Sequence, residues 1–236
     1  MEKLKKIIKI IIELLLLVII LFSLFMIIRW FINSMNNKKT IKNVNNEIKI
    51  EEVKDGKRDI DFEFLKSINS DTVGYIMISG LDINYPVVKT DDNNFYLSHS
   101  FDKSKNVGGW IFMDYRNSSS IFDDKNTIIY GHNMKDGSMF GKLRQLKNSD
   151  IDTIYYYDKE SKLTFKIISM YEIEEESYYI TTNMDDSEYL EFLNTIKGRS
   201  IKKIDYNPSL EDKIITLSTC TNNTKRFVVH AALLQD

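Results

Sequence analysis

The run Ile214-Ile215-Thr216-Leu217-Ser218-Thr219-Cys220, with Arg226-Phe227-Val228-Val229-His230 beginning six residues after its last member, decides how the chain is read. Both pieces are rich in residues that suit a pleated, half-buried surface, and the polar stretch 221–225 separates them, which predicts two strands joined as a hairpin. Alternation puts Thr216, Ser218 and Cys220 on one face of the first strand, and Arg226, Val228 and His230 on one face of the second. Pairing across the turn then brings Cys220 and Arg226 near each other. Cys220 is the only cysteine in 236 residues, so no disulfide can form within the chain. A thiol attacks carbonyls only as thiolate, and it needs a base or a cationic neighbour to become one.

Upstream of this pair, short apolar runs bounded by turn residues recur at 74–78, 83–88, 110–113, 127–130, 153–157 and 162–174. With 213–220 and 226–234 they make eight predicted strands and favour a mainly β fold, a closed or nearly closed barrel, over an α/β one. Ser79-Gly80 turns the first run into the second as a hairpin, and Pro86 marks an edge. Two helices are expected in the same region. A short one is capped by Asp59, with Ile60, Phe64, Leu65 and Ile68 at helical spacing. The other spans 187–197 in the long connection leading to the cysteine strand, with Tyr189, Leu190, Leu193 and Ile196 on one face and Gly198 as its stop.

The N-terminus is of another kind. Lys3, Lys5, Lys6 and Lys9 precede an apolar run from residue 10 to 28 broken only by Glu13 and Ser23. Roughly 20 such residues cross a bilayer. The run exceeds the h-region of a cleaved signal peptide, and no small-x-small site follows it. Being apolar on every face, it does not suit a buried core helix. Basic residues stand on both flanks, and the positive-inside rule leans only slightly toward a cytoplasmic N-terminus. The expected organisation is a cytoplasmic tail over 1–9, a transmembrane anchor over 10–32, a polar tether over 33–58 and an extracytoplasmic domain over 59–236. Residues 1–42 hold eight Lys/Arg against two Asp/Glu, +6, which leaves −8 for the rest of a chain whose formal net charge is −2. An acidic body without a basic stripe does not suit nucleic-acid binding. With 43% hydrophobic and 12% aromatic residues the chain as a whole can build a core.

Three histidines could serve the cysteine. His132 stands in Tyr130-Gly131-His132-Asn133, where a strand opens through glycine into a polar loop, a setting that suits chemistry. His99, in Leu97-Ser98-His99-Ser100, reads as a surface residue, and His230, inside the last strand, as a structural one. Arg226 has two readings that its residue type leaves open: a guanidinium that stabilises an oxyanion in a dry cleft, or one solvated charge of a Lys-Arg pair.

Thr216-Leu217-Ser218-Thr219-Cys220, then Arg226 with Val228-Val229-His230, and Tyr130-Gly131-His132-Asn133 upstream, resemble the signature elements of the class B sortases. Thr-Leu-x-Thr-Cys marks sortases generally. The late helical insertion and the N-terminal anchor favour class B, and the resemblance covers residues 62–234. It implies an eight-stranded β-barrel, a single-pass membrane protein on the outer face of a Gram-positive cell, and cysteine transpeptidase activity with no cofactor and no metal. It carries the family's nucleophile onto Cys220, its histidine onto His132 and its arginine onto Arg226. Groove-lining positions fall on Asn93, Leu97, Tyr130, Ser218, Tyr179 and Ile180. The turn between cysteine and arginine is short for class B, which bears on one wall of the groove. The implied partners are surface proteins bearing a sorting motif, of an Asn-Pro or similar Pro-x-Thr kind, and an amine of the cell-wall precursor. Two other classes stand beside this one: a thiol hydrolase on the same scaffold, and a membrane-tethered binding module whose cysteine is inert.

Overall fold

The computed structural model describes residues 1–47, 51–52, 58–174, 178–220 and 224–234. Eight strands close into a barrel: β1 (Thr72–Ile78), β2 (Ile83–Val88), β3 (Phe112–Met113), β4 (Asn126–Tyr130), β5 (Thr153–Tyr157), β6 (Lys162–Glu174), β7 (Ile214–Cys220) and β8 (Lys225–Leu233). Around the barrel they follow the order β8-β6-β5-β1-β2-β3-β4-β7. Closure leaves no open edge. Pro86 therefore does not mark one as expected. It is tolerated because β2 meets β3 in register only at Val88 and Phe112, so no ladder bond is lost beside it. Its carbonyl instead accepts a hydrogen bond from Trp110 Nε1 at 2.9 Å.

Among the described residues three α-helices accompany the barrel: α1 (Glu2–Glu47), α2 (Phe62–Ile68) and α3 (Asp186–Arg199). The apolar part of α1 is long enough to cross a membrane and is exposed throughout. The helix runs on through the expected anchor and into the segment expected as a tether, as far as Glu47; residues 48–50 and 53–57 of that segment lie outside the described residues. The cap of α2 is Asp61, whose side chain accepts from Phe64 N at 2.9 Å, not Asp59, which falls in a two-residue ribbon pairing with 51–52. Its buried members are Phe62 and Leu65, while Ile68 is exposed.

The barrel core holds Ile76, Ile129, Phe140, Leu217, Phe227 and Val229. A second layer forms where α3 covers the outer face of β6, β7 and β8, packing Tyr189, Phe192, Leu193 and Ile196 against Tyr171, Ile214 and Val228. These four α3 residues follow the i, i+3, i+4, i+7 rule, so Phe192 takes the place expected of Leu190, which stays exposed. Asp185 and Glu188 form a capping box at the helix start. Gly198 does not stop the helix, which runs on to Arg199 and is capped by Ser200.

Because α3 lies over β7 and β8, the polar residues on their outer face are buried and must be paired. Asn126 Oδ1 accepts from Thr216 Oγ1 at 2.6 Å, so the Thr216 oxygen is left to accept from His230 Nδ1 at 2.8 Å. His230 Nε2 then accepts from the Tyr171 hydroxyl at 2.8 Å, which fixes one neutral tautomer. His230 is thus the structural histidine expected from its place in the strand. Burial, helped by the charge of Arg199, depresses its pKa from 6.5 to about 3. Above pH 6.5 neither state of the protein is protonated at this site and the shift has no effect. Below it the unfolded chain takes up a proton that the folded one refuses. Stability is therefore lost as pH falls from 6.5 toward 3, at up to about 1.4 kcal/mol per pH unit. Urea unfolding across that window, compared with His230→Gln, should show a slope shallower by one proton in the variant. Equal slopes would mean the ring is protonated in the folded state.

Candidate active site

Cys220 is the last residue of β7 and the first of its outer-face residues to emerge from under the second layer; its side chain is half-buried. Across the β7–β8 ladder its register partner is Arg226, followed by Ser218 with Val228 and Thr216 with His230. The expected hairpin and its faces are present, with residues 221–223 of the turn outside the described set.

On its other side β7 runs parallel to β4, pairing Ser218 with Tyr130, and Gly131 N donates to Ser218 O at 3.2 Å. His132 consequently leaves the sheet beside the cysteine end of β7. Gly131 is required for close packing: a Cβ there would lie 2.4 Å from Ile111 Cδ1 and 2.7 Å from Phe140 Cδ2. The imidazole is held from a second direction. Its Nε2 is 2.8 Å from the Leu97 carbonyl, which can only accept, so Nε2 carries hydrogen and Nδ1 is the nitrogen that can exchange a proton with a ligand. Gly109, at φ +55, passes so near that a Cβ would sit 3.0 Å from His132 Cδ2 and 2.3 Å from Tyr96 O.

These elements enclose a cleft of about 250 Å³ lined by Cys220, His132, Arg226, Asn93, Leu97, Tyr130, Ser218, Tyr179 and Ile180, every site residue singled out in the sequence. Phe112, Gly131 and Thr219 line it as well and were not singled out. Tyr179 and Ser218 are joined through their hydroxyls at 3.1 Å. The remaining histidine, His99, stays apart from the cleft lining. It is half-buried rather than on the surface as expected, stacked on Phe95 with centroids 4.1 Å apart and with Nδ1 donating to Phe95 O at 2.7 Å.

Sequence reasoning also passed over Asp114, which is wholly buried behind the cleft. Burial alone would raise its pKa, but hydrogen bonds from Arg116 and Tyr130 and the guanidinium charge hold it below the usual carboxylate range. Tyr130 is pushed upward, first by burial and then by the Asp114 charge, so it stays a neutral hydroxyl donating to Asp114 Oδ2 at 2.8 Å. Met113-Asp114-Tyr115-Arg116 reads as an ordinary polar loop, and no local pattern marks it.

A family model described as the sortase domain matches residues 76–234. Among curated proteins, sortase B of Listeria monocytogenes is 41% identical over 174 residues, covering 72% of this chain and 68% of its own length. Sortase B of Staphylococcus aureus is 37% identical over 183 residues, covering 74% and 75%. Among solved structures, sortase B from Bacillus anthracis in complex with AAEK1 superposes with a TM-score of 0.75 at 35% identity, over 87% of this chain and 100% of that one. The Staphylococcus aureus sortase B–substrate complex does so with a TM-score of 0.72 at 32% identity, over 85% and 99%.

Proposed function

The chain belongs to the sortase family, on its class B branch, and is a cysteine transpeptidase; from that premise we propose that it cleaves a C-terminal sorting motif of surface proteins after threonine and passes the acyl group to an amine of a cell-wall peptide. In this reading residues 10–32 anchor it in the membrane with 1–9 in the cytoplasm, 33–58 act as a tether, and 59–236 form the catalytic domain outside. The observation that carries it is the meeting of a thiol, an imidazole and a guanidinium, from β7, the loop after β4 and β8, in one cleft.

The steps follow from the roles open to these groups. Cys220 as thiolate attacks the threonine carbonyl carbon, forming a C–S bond and a tetrahedral oxyanion beside Arg226. The C–N bond then breaks, the leaving amine taking its proton from the His132 imidazolium, and a thioester remains. The acceptor amine attacks that thioester and gives its proton to His132, the C–S bond breaks, and the thiolate returns. Asn93, Leu97, Tyr130, Ser218, Tyr179 and Ile180 bind the peptide along the cleft.

A cleavage screen of Pro-x-Thr peptides, including Asn-Pro forms, with products weighed by mass spectrometry in the presence and absence of an added amine, tests this. Amide-linked products that depend on the amine support transfer, and free acid alone in both cases would make the protein a thiol hydrolase. Arg226→Lys keeps the charge and loses the planar fork, so kcat for the same peptide should fall by about 10²-fold. Undiminished turnover would remove any geometry-dependent role for the guanidinium.

A further inference from the structure

The wall of the cleft that carries Tyr179 and Ile180 is a single 3-10 turn over Tyr178–Ile180, closed by a backbone contact of 3.4 Å from Thr181 N to Tyr178 O. One such turn has little stability of its own. Its carbonyls, however, are taken one after another by side chains from elsewhere. Asn126 Nδ2 donates to Tyr179 O at 3.3 Å and to Thr181 O at 3.0 Å, and Arg116 Nη2 donates to Ile180 O at 2.9 Å. The two donors are held in different ways, one by burial and the other, although its side chain is about a third exposed, by an ion pair. Asn126 is wholly buried and oriented by Thr216. Arg116 is locked onto buried Asp114 as a fork, Nε to Oδ1 at 2.9 Å and Nη2 to Oδ2 at 2.8 Å. The same carboxylate accepts from Asn93 Nδ2 at 3.0 Å and from the Tyr130 hydroxyl, so one buried charge is tied to two cleft-lining residues directly and to Ile180 through Arg116.

We infer that Asp114, Arg116 and Asn126 are positioning residues for peptide recognition, holding three successive carbonyls so that Tyr179 and Ile180 stand fixed relative to Asn93 and Tyr130. This rests on the cleft being the sorting-peptide site. None of the three lines the cleft, and none is placed to exchange protons with the reacting bond. Their loss acts on how well the peptide is held before reaction, and leaves the reactivity of Cys220 alone.

The test uses the full chain in detergent micelles, as wild type, Arg116→Lys and Arg116→Met, with the Pro-x-Thr peptide chosen by the screen and iodoacetamide as a small thiol probe. In Arg116→Met, KM should rise by about tenfold, with kcat and the rate of Cys220 alkylation each within about twofold of wild type. Arg116→Lys, which restores a charged donor without the fork, should recover part of that loss. An unchanged KM in a folded variant, or a fall in kcat and alkylation instead, overturns the inference. If Arg116→Met does not fold because Asp114 is left unpaired, the Lys variant gives the same readout. Failure of both to fold assigns Arg116 to the fold and overturns the recognition role. Should wild type cleave no Pro-x-Thr peptide, the functional reading falls on its own, and amide exchange decides the clamp. Exchange at Ile180 and Thr181 about tenfold faster in Arg116→Lys supports it. Unchanged exchange overturns it.

Discussion

Cys220→Ala abolishes cleavage of the sorting-motif peptide, a loss of at least about 10⁴-fold in kcat, while the barrel stays folded. Every covalent step proposed runs through this one sulfur, and no second cysteine exists to replace it. The side chain sits half-buried at a strand end, outside both packed layers, so its truncation should cost under about 1 kcal/mol of stability. Cys220→Ser should be almost as silent, because a hydroxyl at this position is a far weaker nucleophile than a thiolate. Peptide turnover by either variant, followed by fluorescence with thermal unfolding as the control, would remove the nucleophile assignment.

His132→Gln is expected to lower kcat by about 10³-fold or more while leaving the loop in place. The glutamine amide can still donate to the Leu97 carbonyl 2.8 Å from the present Nε2, so the change removes proton exchange at Nδ1 more than it removes the anchoring bond. Amine release in a single turnover, measured by rapid quench, reports the step in which the imidazole acts as acid. A variant that releases the amine at the wild-type rate would show that some other group delivers the proton, and the role proposed for the loop after β4 would have no basis.

Much of this arrangement could be read in the chain before its folding was seen, for a physical reason. The strands are short apolar runs closed off by turn residues, and a hairpin's faces follow from counting by two, so Cys220 opposite Arg226 needed only register. Where periodicity and capping signals in the sequence differ from the structure, they do so by two residues. Leu190 is expected on the buried face of α3, yet the seam follows strict helical spacing and holds Phe192 there. Gly198 looked like a stop, but a glycine ends a helix only where the chain must turn left-handed, and here Ser200 caps it in an extended conformation. Asp59 is the expected cap, but Asp61, two residues nearer the helix, is the residue that caps it. Asp114 and Arg116 were illegible for a different reason. What gives them meaning is a carbonyl 64 positions away along the chain, and nothing within their own loop foretells that contact.

β4 and β7 lie side by side and point the same way, so Tyr130 and Ser218 are neighbours although the chain departs after one and comes back before the other. That long excursion supplies β5, β6, α3 and the Tyr178–Ile180 turn. Lengthening or trimming only the part of it around the Tyr178–Ile180 turn would recut the mould into which a peptide fits, while His132 and the β6–β8 ladder that carries Arg226 keep the bench on which bonds are exchanged. A lineage built this way can change its clientele by editing loops, while the trade it practises passes down unaltered.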